Sequence, residues 1–170
     1  MERQPLIGRP SLLFIGMPSS GKTTAGGLAS RLLDMPFVDI DTEIKRRCGM
    51  TVAEIFSHFG EEHFRRQELL MARELSGRGG MVISPGGGIV ESRLCMELLS
   101  KNAVICRLRR DPALIDTTGR PLLSRPGAIE ELLRRRGPLY DKYADFTVDN
   151  DSTPEECARR AAAGYLELAR

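Results

Sequence analysis

Short runs of mostly apolar residues recur along the chain, and runs of this length are typical of strands that are covered on both faces. There are five of them: SLLFIG at 11–16, PFVDID at 36–41, GMVISP at 80–85, AVICRL at 103–108 and FTVDN at 146–150. Helical periodicity occupies the intervals at about 21–33, 51–77, 89–100 and 126–143, and continues at 153–169 after the last run. A glycine at position 60 predicts that the second interval is broken into two helical pieces.

The alternation of strand and helix predicts right-handed crossovers and a five-stranded parallel sheet with helices on both faces. Two helix starts are the clearest: TVAE at Thr51 has the form of a capping box, and TPEE at Thr153 places proline at the first helical position. Because no internal repeat or long linker divides the chain, we predict a single three-layer α/β/α domain over residues 1–170. Such a sheet binds its ligands at the carboxyl ends of the strands.

The charge balance argues against nucleic acid as the main partner. The 170 residues include 25 Lys and Arg against 23 Asp and Glu, a formal net charge of +2, which is small for a protein that grips phosphate backbones. The apolar stretch from Leu12 to Ile15 is too short for a signal peptide or a membrane span. Four scattered cysteines indicate neither a zinc site nor a disulfide framework. We therefore expect a cytoplasmic monomer without nucleic-acid or membrane partners.

The segment GMPSSGKTT (16–24) follows the first predicted strand and opens a helix, which is the context of a phosphate-binding P-loop. It fits G-x-x-x-x-G-K-[ST], in which the glycines let the backbone amides wrap around an oligophosphate. Lys22 is expected to reach the outer phosphates, and the Thr23 hydroxyl to bind magnesium. The motif alone leaves kinase, hydrolase and switch open. The nucleotide-binding residues predicted in this loop are Gly16, Ser19, Ser20, Gly21, Lys22, Thr23 and Thr24.

Two aspartates end the second predicted strand, in FVDIDTE (37–43). A spacing of two residues on a strand puts Asp39 and Asp41 on the same face. Two carboxylates at the end of a buried strand lose hydration and repel each other unless cations or hydroxyl groups occupy the site. The alternative is that Asp41 caps the next helix while Asp39 pairs with a basic residue. We favour a site that holds a cation and an acceptor hydroxyl.

Glycines and arginines follow in positions that suit an acceptor. PGGGIV places Gly86, Gly87 and Gly88 after the third strand, where they expose backbone amides to a ligand, although a plain flexible turn is the alternative. Arg65 and Arg66 lie four residues after two glutamates, so ion pairs on a solvated helix face are their alternative. Of the two, Arg65 follows a phenylalanine on the expected inner side.

A second group of arginines lies further along the chain. Arg134, Arg135 and Arg136 close a predicted helix before the Gly137–Pro138 pair stops it, and at most one of the three is expected to be functional. Arg120 lies in a predicted loop, TTGRPLL, with no such structural explanation. Convergent arginines would bind a substrate carboxylate through paired hydrogen bonds, and one could neutralise charge on a transferred phosphoryl group.

This ordered set of motifs resembles the shikimate kinase family, P-loop kinases of the aromatic amino-acid pathway. The resemblance rests on GMPSSGKTT, DID, GMTVAEIFSHFGEEHFRRQE, GGG, RPLL, RRRGPLY and VDNDSTPEE, in this order over about residues 11–160. It implies ATP-dependent phosphorylation of shikimate with Mg²⁺ and a sheet of the nucleoside-monophosphate-kinase type. It also implies a substrate-binding region at about 41–77 and a mobile lid at about 109–124.

The resemblance further implies a role for each matching residue. The catalytic residues would be Lys22, Asp41 and Arg120. Shikimate would be held by Asp41, Arg65, Gly86, Gly87, Gly88 and Arg136. ATP would contact, besides the P-loop residues, Arg120, Asp151 and Pro154. Magnesium would be bound by Thr23 and, through water, by Asp39, while Glu68 would orient the substrate-binding groups.

The chain departs from the family pattern mainly in the lid. LRRDPALIDTTGRPLL is several residues shorter than the usual lid, and the arginine that packs on adenine ahead of RPLL is missing. Ser19 stands where the family usually has Gly or Ala, and Pro85 where a small or aliphatic residue is usual. Two alternatives to a shikimate kinase therefore stay open. One is a P-loop kinase for another polyhydroxy acid such as gluconate, and the other is a kinase-like module that binds nucleotide without transferring phosphate.

Overall fold

A parallel sheet of five strands forms the centre of the part of the chain that the structure describes. The computed structural model describes residues 8–118, 123 and 125–170. Its strands are β1 (Ser11–Ile15), β2 (Phe37–Asp39), β3 (Val82–Ser84), β4 (Ala103–Arg109) and β5 (Phe146–Asp149). They pair in the order β2-β3-β1-β4-β5, and every pair is parallel. The predicted five-stranded parallel sheet is confirmed.

Helices cover both faces of the sheet, as predicted. They are α1 (Lys22–Leu33), α2 (Ile40–Cys48), α3 (Val52–Leu75), α4 (Arg93–Leu99), α5 (Ala128–Tyr143) and α6 (Pro154–Leu168), with short 3-10 helices at Ile89–Glu91 and Pro112–Leu114. No helix among the described residues is both long enough and apolar enough to cross a membrane.

The hydrophobic core has one layer on each side of the sheet. These two layers cover both faces of β1, so this strand is buried along its whole length. Leu13 and Ile15 face a cluster that includes residues of α3 and α4, such as Met71 and Met96. Leu12 and Phe14 face the other cluster, where small side chains of α1 and α6 let these helices pack closely on the strands. Strands enclosed in this way are apolar at successive positions, which explains the strong sequence signal.

The two clearest helix starts and the break in α3 are confirmed. The Thr51 hydroxyl accepts from the Glu54 amide at 3.2 Å, and the Glu54 carboxylate accepts from the Thr51 amide at 2.7 Å, which completes a capping box. The Thr153 hydroxyl caps α6 in the same way, through the Glu156 amide at 3.2 Å. Gly60 interrupts α3 with φ 81° and ψ 167°, a backbone conformation restricted in practice to glycine.

The predicted end of the second strand was wrong. β2 ends at Asp39, and α2 begins at the next residue. The reason is a helix cap: a side-chain oxygen of Asp39 accepts from the Thr42 amide at 2.8 Å. Asp41 therefore lies in the first turn of α2, not on a strand face with Asp39. Because α2 buries only Ile40 and Ile44, its apolar pattern was too weak to predict it.

The predicted stop at Gly137–Pro138 was also wrong, since α5 continues through both residues to Tyr143. A proline inside a helix removes one backbone hydrogen bond. Tertiary contacts of the following turn oppose this loss: Tyr140 is 1 % exposed, and its hydroxyl donates to the Gly87 carbonyl at 2.7 Å. This contact joins α5 to the glycine segment that follows β3.

Candidate active site

The loop between β1 and α1 has the backbone shape of a phosphate cradle. Gly16 has φ 152° and Gly21 has φ 94°, a region that side chains rarely adopt. A Cβ atom on Gly16 would lie 2.4 Å from the Leu108 carbonyl oxygen, and one on Gly21 would lie 2.5 Å from Nδ2 of Asn150. Both positions therefore require glycine, as the motif predicted.

Lys22 lies folded over this loop. Its side chain is 7 % exposed, and Nζ donates to the carbonyls of Gly16 at 3.0 Å and Met17 at 2.8 Å. Ser19 has φ 59°, and its hydroxyl donates to the Asp116 carbonyl at 2.9 Å. That bond ties the loop to the segment after β4, the region predicted to be the lid. Arg120 lies outside the described residues.

The two predicted magnesium residues contact each other where the first turn of α1 meets the end of β2. The Thr23 hydroxyl donates to Oδ2 of Asp39 at 2.6 Å, while Oδ1 of Asp39 caps α2. A hydroxyl and a carboxylate are hard oxygen donors of the kind that Mg²⁺ prefers. No cluster of three or more His, Cys, Asp or Glu able to hold a metal occurs among the described residues. A magnesium ion here would therefore depend on nucleotide phosphates and water for its other ligands.

Asp41 presents a buried oxygen to the glycine segment. Its Oδ1 is buried and has no hydrogen-bond partner among the residues that the structure describes. A Cβ atom on Gly86 would lie only 2.9 Å from this oxygen. Burial raises the pKa of Asp41, and the carboxylate of Asp39 raises it further, while the charges of Lys22, Lys45 and Arg65 oppose this. A buried carboxylate oxygen without a donor is suited to accept a hydrogen bond from a ligand hydroxyl.

Gly87 and Gly88, like Gly86 beside Asp41, each lie close to a residue of another segment. A Cβ atom on Gly87 would lie 2.8 Å from the ring of Pro18 in the phosphate loop. A Cβ atom on Gly88 would lie 2.7 Å from the guanidinium of Arg65. Since Gly88 itself has an ordinary φ of −83°, the requirement there is for space and not for backbone freedom. The triplet thus lets the phosphate loop and the arginine pack directly against its backbone.

Arg65 is held by two glutamates of its own helix. It donates to Glu68 at 2.7 Å and to Glu61 at 3.0 Å. Glu68 is 1 % exposed, and burial raises its pKa to about 7 despite the opposing charge of Arg65. Arg66 forms only the exposed pair with Glu62 that the spacing suggested. The structure therefore brings Arg65, and not Arg66, toward the site.

Arg136 faces the same region from α5 and is paired with a residue that the sequence did not indicate. Its Nε and Nη2 lie 2.9 and 2.8 Å from Oε2 of Glu91, and Nε of Arg135 lies 2.6 Å from Oε1. A cavity of about 450 Å³ opens beside this group. It is lined by Glu61, Arg65, Gly88, Glu91, Ser92 and Arg135. A signal for Glu91 was its position three residues after the triplet.

The remaining predicted nucleotide residues lie near the phosphate loop or at its rim. Asn150 donates from Nδ2 to the Ser20 carbonyl at 2.9 Å, which attaches the end of β5 to the loop. Ser20 is fully buried, whereas Thr24 is exposed on α1. Asp151 pairs with Arg160 at 3.1 Å, and Pro154 occupies the first turn of α6.

A P-loop after β1, with a buried carboxylate and two inward arginines at the same sheet edge, defines a small-molecule kinase with a nucleotide co-substrate. The model of the shikimate kinase family matches residues 18–164. The shikimate kinase of Cupriavidus pinatubonensis is 41 % identical over 150 residues, which cover 84 % of this chain and 78 % of that protein. The chain belongs to the shikimate kinase family, so ATP is its co-substrate.

Solved structures agree with this assignment. The shikimate kinase from Acinetobacter baumannii in complex with shikimate superposes with a TM-score of 0.86 at 30 % identity, over 94 % of each chain. A gluconokinase from Sinorhizobium meliloti superposes with a TM-score of 0.56 at 16 % identity, over 95 % of each chain. The second similarity shows the fold alone, so it gives no support to gluconate as the acceptor.

Proposed function

We propose that this protein transfers the γ-phosphoryl group of ATP to the 3-hydroxyl of shikimate, forming shikimate 3-phosphate and ADP. The observation that carries the proposal is the buried Oδ1 of Asp41 beside Gly86. This oxygen lies beside Gly86, and the charges of both Lys22 and Arg65 act on Asp41, so an acceptor hydroxyl bound here would find a hydrogen-bond partner. A buried carboxylate oxygen that awaits a hydrogen-bond donor favours transfer to an acceptor hydroxyl over nucleotide binding alone.

The chemistry follows from these positions. Asp41 accepts a hydrogen bond from the 3-hydroxyl and takes its proton as the oxygen bonds to the γ-phosphorus and the bond to the β-phosphate oxygen breaks. Because burial raises its pKa, Asp41 is a stronger base than an exposed aspartate. Lys22 would contact the β- and γ-phosphates by leaving the loop carbonyls that it contacts here. Positioning and electrostatic stabilisation supply most of the catalysis.

The other site residues have binding roles in this proposal. Arg65 and Arg136 bind the shikimate carboxylate, and the amides of residues 86–88 contact the ring. Thr23 and, through water, Asp39 would hold Mg²⁺, which neutralises phosphate charge when bound. Arg120 meets the phosphates, and residues 150–154 border the adenine.

A coupled assay of ADP formation tests the activity. ADP formation that is no faster with shikimate than without it would contradict the proposal. Lys22→Met is expected to abolish transfer. In a panel of acceptors tested with nucleotide present, shikimate and not gluconate is expected to raise the melting temperature.

The role of Asp41 is tested separately. Asp41→Asn is expected to lower turnover by about 10²- to 10⁴-fold while ATP binding is unchanged, because the amide cannot take the proton. The matched control is Asp34→Asn, at the exposed end of α1, where the left-handed backbone (φ 52°) suits Asn as well as Asp. Near-normal turnover by Asp41→Asn would show that Asp41 is not the base.

A further inference from the structure

Both carboxylate oxygens of Glu91 are paired with arginines. It ends the 3-10 helix that follows the glycine triplet. Oε2 accepts from Nε and Nη2 of Arg136 at 2.9 and 2.8 Å, and Oε1 lies 2.6 Å from Nε of Arg135. The Arg136 side chain is 9 % exposed, the Glu91 side chain 29 % and the Arg135 side chain 55 %. Glu91 thus lies between a buried cation and an exposed one.

The burial of Arg136 explains why a carboxylate is needed here. A guanidinium removed from water is strongly destabilising unless an anion or several acceptors are close to it. Nε and one Nη form the edge of a guanidinium that binds carboxylates side-on. In the structure that edge of Arg136 is used by Glu91. A carboxylate that approaches Arg136 along this edge would compete with Glu91 for the same donors.

We propose that Glu91 is an internal competitor of the acceptor's carboxylate for Arg136 and thereby sets the affinity for the acceptor. This inference rests on the proposed function, in which Arg136 binds that carboxylate. Glu91 neutralises Arg136 while the site is empty. When the acceptor binds, Glu91 leaves the Nε edge of Arg136, and the acceptor's carboxylate takes its place. Arg135 keeps Glu91 paired after the exchange, since it already holds the other oxygen. Arg136 therefore has a carboxylate partner before and after binding.

Glu91→Gln tests the exchange, because it removes the charge and keeps the shape. The Michaelis constant for shikimate and the dissociation constant from titration are both expected to fall by about threefold to tenfold, as a partly exposed charge near the binding carboxylate is lost. The Michaelis constant for ATP is expected to be unchanged. Glu91→Thr, a shorter neutral residue, should give the same change if Gln at this position disturbs folding.

Two controls separate this effect from a general change of charge. Glu97→Gln removes an equally exposed carboxylate (29 %) from a similar ion pair with Arg93 (2.6 Å) on α4, and it should leave the kinetic constants unchanged. Shikimate methyl ester has no carboxylate to exchange, so wild type and Glu91→Gln should bind it equally.

The outcomes distinguish this inference from the proposed function. If wild type forms no shikimate-dependent ADP, the proposed function is wrong and the inference falls with it. If wild type turns over shikimate but Glu91→Gln has an unchanged or higher Michaelis constant for it, only the inference is wrong. A higher value would mean that Glu91 holds Arg136 in its binding position. If Glu91→Gln lowered the dissociation constant for shikimate methyl ester by the same factor as for shikimate, the proposed competition would also be refuted.

Discussion

Glu68→Gln is expected to stabilise the protein at neutral pH. Glu68 is 1 % exposed, and one of its oxygens accepts from Arg65 at 2.7 Å. The other oxygen, Oε1, is buried without a hydrogen-bond partner among the described residues. Burial raises the pKa of Glu68 from 4.5 to about 7, with Arg65 opposing the change. Ionisation of Glu68 in the folded protein therefore lowers the free energy of unfolding.

The sign and size of the effect follow from proton linkage. A carboxyl group whose pKa is higher in the folded state contributes stability that is fully present below the unfolded value of 4.5 and is lost as the pH rises to about 7. Each tenfold change in proton affinity corresponds to about 1.4 kcal/mol, so the whole interval corresponds to roughly 3 kcal/mol. Gln is neutral at every pH, so Glu68→Gln should exceed wild type by up to roughly 3 kcal/mol above about pH 7.5.

Urea unfolding followed by circular dichroism at about pH 5 and about pH 8 measures this difference, since the chain has no tryptophan to report by fluorescence. The gain from Glu68→Gln should be large at the higher pH and small at the lower one. Glu61→Gln, which removes the exposed partner of Arg65 (63 % exposed), is the control and should show little pH dependence. A stability difference for Glu68→Gln that is the same at both pH values would refute the reasoning.

Two glycine substitutions test the packing around the site, and a third tests the backbone conformation at the break in α3. Gly88→Ala directs a Cβ at the guanidinium of Arg65, 2.7 Å away. The displaced arginine should raise the Michaelis constant for shikimate about tenfold. Because the arginine side chain can move, the free energy of unfolding should change by less than about 0.5 kcal/mol. Gly87→Ala meets the ring and backbone nitrogen of Pro18 at 2.8 and 2.9 Å and should lose about 1–3 kcal/mol in urea unfolding. The reverse ranking of these two variants would contradict the geometry. Gly60→Ala should lose about 1–3 kcal/mol, because φ 81° and ψ 167° disfavour any side chain, and an unchanged unfolding midpoint would argue against this conformation.

The sheet and the phosphate loop were predictable because their signals are local. Strands buried on both faces are apolar at successive positions, and a phosphate cradle requires Gly, Lys and Thr at fixed short spacings. The capping box at Thr51 and the break at Gly60 are local in the same sense. In each case the residues that determine the structure are also neighbours along the chain.

The partners of the arginines could not be predicted in this way. Arg136 and Glu91 are 45 residues apart, and the helix stop that the sequence suggested at Gly137–Pro138 does not end α5. The continuation of α5 depends on the burial of Tyr140 and on its bond to Gly87, which is a tertiary effect. Local preference for a helix end was overridden by packing, as is common for weak propensities.

The different roles proposed for Asp39 and Asp41 depend on the end of β2, a boundary that the sequence placed wrongly. On a continuous strand both carboxylates would lie on one face and repel each other. Because Asp39 caps α2, it keeps an extended backbone (φ −96°, ψ 112°) and remains beside Thr23, 2.6 Å away. Asp41 is the second residue of α2 and faces Gly86 instead. The change from strand to helix within a single tripeptide therefore directs one carboxylate to Thr23 at the start of α1 and the other to Gly86 in the glycine triplet.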